Sequence, residues 1–158
     1  MMEPISEKNP LDEQVLKYKF IANLKRIRLT IDKSIDCVIK YKYKPFCGTE
    51  VSTAPSFSVE PHEGLNEGKD IKRGYCEYNF SAKETALKKP LEKHPLHIRI
   101  FDEAQHLGTA SVNLSKIFTT EATRTLDSRS YLVQVPILKK NEVGSANILG
   151  RYHLIPFF

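Results

Sequence analysis

Residues 96–117 read LHIRIFDEAQHLGTASVNLSKI, and the fold class turns on this stretch. Leu96, Ile98 and Ile100 alternate with His97, Arg99 and Phe101, the two-residue period of a strand with one face in a core. Ala110, Val112 and Leu114 alternate in the same way with Thr109, Ser111 and Asn113. Between them residues 102–107 are polar and read as a turn, with Gly108 as the point where the backbone can bend sharply. Ser115 has the chemistry of a helix N-cap for a brief helix over 116–122. Two half-buried strands joined by an acidic turn and followed by a short helix predict a hairpin in an all-β domain.

The same period recurs on both sides of the hairpin. Phe20, Ala22 and Leu24 share one face, then Ile27, Leu29 and Ile31 line up in the opposite phase. A one-residue slip inside a strand predicts a bulge, here near Lys25 and Arg26. In 36–45, Cys37, Ile39, Tyr41 and Tyr43 fall on one face, while Val38, Lys40, Lys42 and Lys44 fall on the other. GYCEYNF (74–80) is a further strand that buries Cys76, Tyr78 and Phe80. Residues 81–89 read as a weak helical turn or loop ended by Pro90. In YLVQVPI (131–137), Tyr131, Val133, Val135 and Ile137 form the inward set, and Pro136 suggests an edge. A turn over 139–144 leads to 146–155, where Ala146, Ile148, Tyr152 and Leu154 point inward. Residues 48–73 are rich in Pro, Gly and Glu, and read as a long polar loop with one short strand at 57–59. Seven or eight strands with turn signals between them predict an antiparallel sandwich.

The chain has 158 residues, enough for one domain with a full core. Residues 1–16 are polar and carry Pro4 and Pro10; they read as a flexible leader to a domain over 17–158. The two leading methionines suggest a fragment of a longer protein. No apolar run approaches the length of a membrane span, and the N-terminus lacks the apolar core of a signal peptide. Cys37, Cys47 and Cys76 show no paired spacing, which argues against a disulfide framework and for a reducing, cytoplasmic compartment. Residues 17–44 hold nine Lys and Arg against Asp32 and Asp36, a surplus of seven positive charges that exceeds the net +5 of the whole chain. A basic first third favours acidic partners.

Nothing in the sequence points to catalysis. No GxSxG, P-loop, HExxH or CxxC occurs, and the five histidines share no metal-ligand spacing with the cysteines. No cofactor is expected. Cys76 and His97 could in principle meet, but a buried strand thiol is the commoner use of such a cysteine.

The order of strand, acidic turn, Gly, strand and short helix in 96–117 resembles the penultimate hairpin of a C2 domain. The strings KYKYKPFCG and TAP, GYCEYNF, LGTASVNLSKIFTTEATRTL and QVPI, taken in order, look like a C2 domain of the centrosomal protein of about 120 kDa, a centriole assembly and elongation family. The resemblance runs over 20–154. It implies an eight-stranded antiparallel C2-type β-sandwich with one short helix. The implied role is a non-catalytic scaffold at the centrosome, centriole or basal body, with centriolar proteins or microtubules as partners.

Many C2 domains bind calcium between apical loops, a role for which this chain offers few acids. Calcium takes six to eight oxygens, and the hairpin turn supplies only Asp102 and Glu103 before Ala104, Gln105 and His106 follow. Asp32 and Asp36 could sit on a neighbouring loop, but Lys33 lies between them. These four are weak calcium candidates, and Asp102 has an ordinary reading as a turn carboxylate that accepts backbone N–H bonds. Calcium-independent recognition is expected.

A basic face is the stronger candidate. Lys40, Lys42 and Lys44 point outward in a row, and Lys25, Arg26 and Arg28 on an expected neighbouring strand would extend it. Such a patch suits acidic protein surfaces or anionic phospholipid; alternating lysines also serve simply to keep an exposed strand soluble. Tyr41 and Tyr43 fall on the opposite face, where they cannot stack bases beside those lysines, so nucleic acid is not an expected partner.

Overall fold

The computed structural model describes residues 15–43, 50–52, 56–64, 67–119, 122–124, 128–139 and 146–157. Their strands run in the order β1 (Val15–Arg28), β2 (Ile35–Tyr41), β3 (Val51–Ser52), β4 (Phe57–Val59), β5 (Lys69–Asp70) and β6 (Tyr75–Lys83). Then come helix α1 (Glu84–Lys93), β7 (Leu96–Asp102), β8 (Gln105–Val112), a 3-10 helix (Leu114–Phe118), β9 (Thr123–Arg124), β10 (Arg129–Leu138) and β11 (Asn147–Phe157). Setting aside the two-residue bridges β3, β5 and β9, eight strands remain, all paired antiparallel. The chain is an all-β sandwich of C2 type.

Two ladders make its layers. In one, β7 lies between β2 and β8, and the outer edge of β2 is shared by β3 and β4. In the other, β11 lies between β10 and β1, and the outer edge of β1 is shared by β6 and β5. Strand β10 belongs to both. Residues 129–136 pair with β11, then Ile137 and Leu138 pair with Ala110 and Thr109 of β8. Pro136 sits where β10 changes partner and, among the described residues, has no ladder neighbour on its second side, a position that tolerates its missing N–H.

The alternation of the sequence becomes the core. Leu96, Ile98, Ile100, Ala110 and Val112 of one layer meet Phe20, Ala22, Leu24, Ile148 and Tyr152 of the other, all essentially inaccessible. The phase change in β1 is a bulge: Leu24 opposes Gly150 and Arg26 opposes Leu149, leaving Lys25 as the extra residue. Tyr131, Val133 and Val135 face inward as expected but are only half-buried, whereas Ile137 is buried. Two hydroxyls inside this core, those of Tyr41 and Tyr152, have no nitrogen or oxygen hydrogen-bond partner among the described residues, and the Cys76 thiol stands beside that of Tyr41. Burial pushes both phenols well above their ordinary pKa. Tyr152→Phe is expected to stabilise the domain by about 1 kcal/mol in urea unfolding, because it removes a desolvated hydroxyl and keeps the ring.

Several boundaries differ from the sequence reading, each for a local reason. The hairpin turn is not 102–107 but the two residues Glu103 and Ala104, with Glu103 in the left-handed region at φ 54°. Strand β8 therefore starts at Gln105, and Leu107 is accommodated as a bulge where Ile100 opposes Gly108 and Phe101 opposes His106. Gly108 is not in the turn at all. A Cβ there would lie 2.7 Å from Ile137 Cγ2, so its glycine makes room for β10. Asn113, not Ser115, caps the next helix, accepting the Ser115 N–H at 3.1 Å; that helix spans Leu114–Phe118 rather than 116–122. Of the two readings of 81–89, a weak helical turn or a loop, the helical one holds: the segment is the end of β6 and the start of a ten-residue helix, which Pro90 does not end but lies inside. Leu87 and Leu91, one turn apart, are buried on either side of that proline, and the His94 N–H donates to the Pro90 carbonyl. The long loop over 48–73 contains β3, β4, a 3-10 turn (Pro61–Gly64) and β5 among its described residues. Strand β1 begins at Val15, inside the span read as a leader; residues 1–14 and 140–145 lie outside the described residues.

Candidate functional site

The outward residues of β7 build the site. His97, Arg99 and Phe101 project from the side opposite Leu96, Ile98 and Ile100. Across the ladders Arg99 opposes Lys40 of β2 on one side and Thr109 of β8 on the other. Two cations thus sit directly opposite each other, an arrangement that disfavours strand pairing on its own. The Phe101 ring tempers it: Lys40 Nζ lies 5.2 Å and Arg99 Cζ 5.7 Å from the ring centroid. His106 leans on the same ring at 5.3 Å. Glu50 accepts from Arg99 Nη2 at 2.6 Å, an ion pair with both side chains more than a third exposed.

Beyond the end of β2 the face deepens into a cleft of about 310 Å³ lined by Lys42, Tyr43, Lys93, His94, Pro95, His97 and Arg99. Helix α1 delivers Lys93 and His94 to it, and the Tyr43 hydroxyl donates to the His94 carbonyl, fixing the helix end against β2. His97 is held by the Ser111 hydroxyl at 2.9 Å. Four permanent cations (Lys40, Lys42, Lys93 and Arg99) therefore share one outer face.

Only part of this was expected. Lys40 is on β2 and Lys42 just past its end, because the strand stops at Tyr41 and not at Pro45. Lys44 lies outside the described residues. Lys25, Arg26 and Arg28 do not extend the patch: β1 pairs with β11, β5 and β6, and β2 with β3, β4 and β7, so the expected neighbouring strand is in the opposite layer. Arg26 is also bonded to Asp70 at 3.1 Å and Glu67 at 3.5 Å. Sequence reading missed Lys93, His94, Arg99 and Phe101. One signal was present: an aromatic ring on the polar side of a strand, two places from an arginine, marks a surface with something to hold.

The acids at the other end of the sandwich serve the backbone. Asp102 Oδ1 accepts the Asp36 N–H at 3.3 Å, and the Asp36 carbonyl accepts the Glu103 N–H at 3.0 Å, so Asp36 and Asp102 do meet. Asp32 is exposed on the intervening loop. Glu60, which sequence reading passed over, accepts from the hydroxyls of Ser34 and Ser58 and is held below the usual carboxylate range by them. Among the described residues no three His, Cys, Asp or Glu side chains converge to hold a metal ion. Cys37 is fully buried, and burial, then Asp102, push its thiol up to about 12. Such a thiol is inert at neutral pH. Cys76 and His97 lie in opposite layers and do not meet.

No family model matches the chain. No curated protein matches it. A solved structure described as "CC2D1B coordinates ESRCT-III activity during the mitotic reformation of the nuclear envelope" is similar at 9% sequence identity and a TM-score of 0.48, over 91% of this chain and 57% of that one. The chain thus spans a little over half the length of that similar structure.

Proposed function

We propose that the chain is a non-catalytic C2-type recognition module that docks, without calcium, on acidic surfaces of a protein partner through the face around Lys40, Lys42, Lys93, Arg99 and Phe101. One observation carries this reading: Lys40 and Arg99 oppose each other across a ladder, and among the described residues Glu50 is ion-paired with Arg99 while no ion pair is formed by Lys40. An acidic partner would relieve that repulsion, and each lysine near an anionic surface contributes about 1 kcal/mol. The string resemblance to a centriolar family supports a setting at the centrosome, centriole or basal body, with centriolar proteins or acidic tubulin tails as partners. The cleft beside Lys42 and Lys93 supports a second reading, docking on a phosphoinositide head group.

Co-sedimentation with microtubules and flotation with phosphoinositide vesicles, each with calcium and with chelator, separate the two. Lys40→Glu with Lys42→Glu is expected to weaken microtubule binding more than tenfold, about 2 kcal/mol for two reversed charges, while thermal unfolding stays close to wild type. Unchanged binding by that variant removes this face from the function. Binding to vesicles alone promotes the membrane reading, and binding that needs calcium overturns the calcium-independent one.

A further inference from the structure

Strand β6 ends the second ladder: β1 lies on one side of it, and among the described residues no strand pairs with the other. It is nine residues long. Other edges of the sandwich are shielded. Strands β3 and β4 line the outer edge of β2. Strand β10 is met by β9 at its start, carries Pro136, and then turns to β8. Short cover strands, prolines and bends are ways in which a sheet avoids pairing with other chains. β6 has neither proline nor glycine between Tyr75 and Lys83, and its register with β1 is unbroken.

One bond tells which of its backbone groups face outward. The Leu24 N–H donates to the Gly74 carbonyl, one step beyond the Asn23–Tyr75 pair. Antiparallel alternation then turns the N–H and C=O groups of Cys76, Tyr78, Phe80 and Ala82 toward β1. Those of Glu77, Asn79 and Ser81 point to the other side. Among the described residues no strand meets them there, and the Glu77 carbonyl has the Cys76 thiol at 3.9 Å.

We propose that β6 is the interface of a homodimer, pairing antiparallel with β6 of a second copy about a two-fold axis at Phe80. Outward groups must meet outward groups, so odd-numbered residues oppose odd-numbered ones. An axis at Tyr78 would set Lys83 against Arg73 of the second copy, two cations face to face. An axis at Asn79 would set Glu77 against Ser81 and Lys83 against Tyr75, leaving both charges unmatched. The axis at Phe80 sets Glu77 against Lys83, and the symmetry makes that ion pair twice. Glu77 has room for it: Lys19 and the Tyr75 hydroxyl both use its Oε2, and the side chain is 41% exposed. The same register sets Asn79 against Ser81, amide against hydroxyl, on the outer face. On the inner face Phe80 meets its own counterpart and Tyr78 meets Ala82. Phe80 and Ala82 are half-buried in the single chain, so they retain apolar surface for the second copy to cover. A strand complementary to itself in charge selects a second copy over an unrelated extended segment. A two-fold pair also uses up both edges, so association stops at two.

Analytical ultracentrifugation of the whole chain up to about 1 mM reads the association, since a Kd of that size still shows a dimer. A monomer–dimer equilibrium with no larger species is expected. Asn79→Pro removes an outward N–H and no bond to β1. It should weaken dimerisation more than about tenfold, while urea unfolding in dilute solution stays near wild type. Charge reversal gives a second route that leaves the backbone alone. Glu77→Lys places like charges at both crossings, as does Lys83→Glu, and each variant alone should dimerise about tenfold more weakly. Mixed in equal amounts, the two variants regain opposite charges at both crossings and should recover the dimer. Lys40→Glu with Lys42→Glu should dimerise as wild type does, which separates this edge from the docking face. A chain that stays monomeric at about 1 mM overturns the proposal. So does a dimer indifferent to Asn79→Pro, a mixture of the charge variants that stays apart, or association that continues beyond two.

Discussion

Gly74→Ala is expected to destabilise the domain by about 3 kcal/mol or more, a large share of the stability of an ordinary domain. Gly74 precedes β6, at the place where two short partners of β1 meet along one edge. The bulge at Lys25 divides that edge: β6 pairs with residues 15–23 and β5 with Arg26 and Ile27. Between them Gly74 supplies its carbonyl to the Leu24 N–H at 2.8 Å, and the Ile71 N–H reaches the Lys25 carbonyl at 2.9 Å. A Cβ on Gly74 would fall 2.1 Å from the Leu24 carbonyl oxygen and 2.9 Å from Leu24 Cβ. The obstacle is backbone, so no rotamer change relieves it. Either the Leu24 hydrogen bond is lost or β1 moves, and Leu24 itself is fully buried in the core. Urea unfolding of the variant beside Arg73→Ala, an exposed neighbour, isolates the effect. A loss below about 1 kcal/mol would mean that the edge is more compliant than its geometry indicates.

Ile98→Ala should cost about 2–5 kcal/mol by the same measurement. Ile98 is fully inaccessible in β7, the strand between β2 and β8, and it opposes Tyr41 on one side and Ala110 on the other. Its neighbours on the inner face, Leu96 and Ile100, are equally buried, so the surroundings have no freedom to close over the missing atoms. Arg99→Ala at the adjacent outward position removes an exposed ion pair and is expected to change stability far less, within about 1 kcal/mol. The contrast checks which side of β7 faces the core: comparable losses at 98 and 99 would contradict the assignment.

The period-two pattern was enough to place most strands, because each face of these sheets sees a uniform environment along its length. It placed the inward sets of β2, β6, β7, β8 and β11, and even the bulge in β1, since a slip in register is visible as a change of phase. Helix α1 was legible only as a weak helical turn, and its extent past Pro90 was not. Pro90 interrupts the local signal, and only tertiary burial of Leu87 and Leu91 holds the turn around it. The candidate site was half legible. Alternation alone put Lys40 and Lys42 outside, but it cannot say which strands are neighbours. Pairing in a sandwich is set by long-range packing, so Lys25, Arg26 and Arg28 were joined to the wrong layer. Lys93 and His94 come from a helix end brought to β2 by one tyrosine hydroxyl, a contact between residues 51 apart in sequence.

The pairing of β1 with β11 has a mechanical consequence. Lys17 lies opposite Phe157, so the start of the first strand and the end of the last emerge side by side. Tension drawn through those two points loads the ladder at one end, where its hydrogen bonds part singly, as in a zipper, rather than together in shear. A domain held in this way between moving attachments would open at low force from that corner inward. The Ile98 side of the sandwich would still be closed when the first strand had already peeled away.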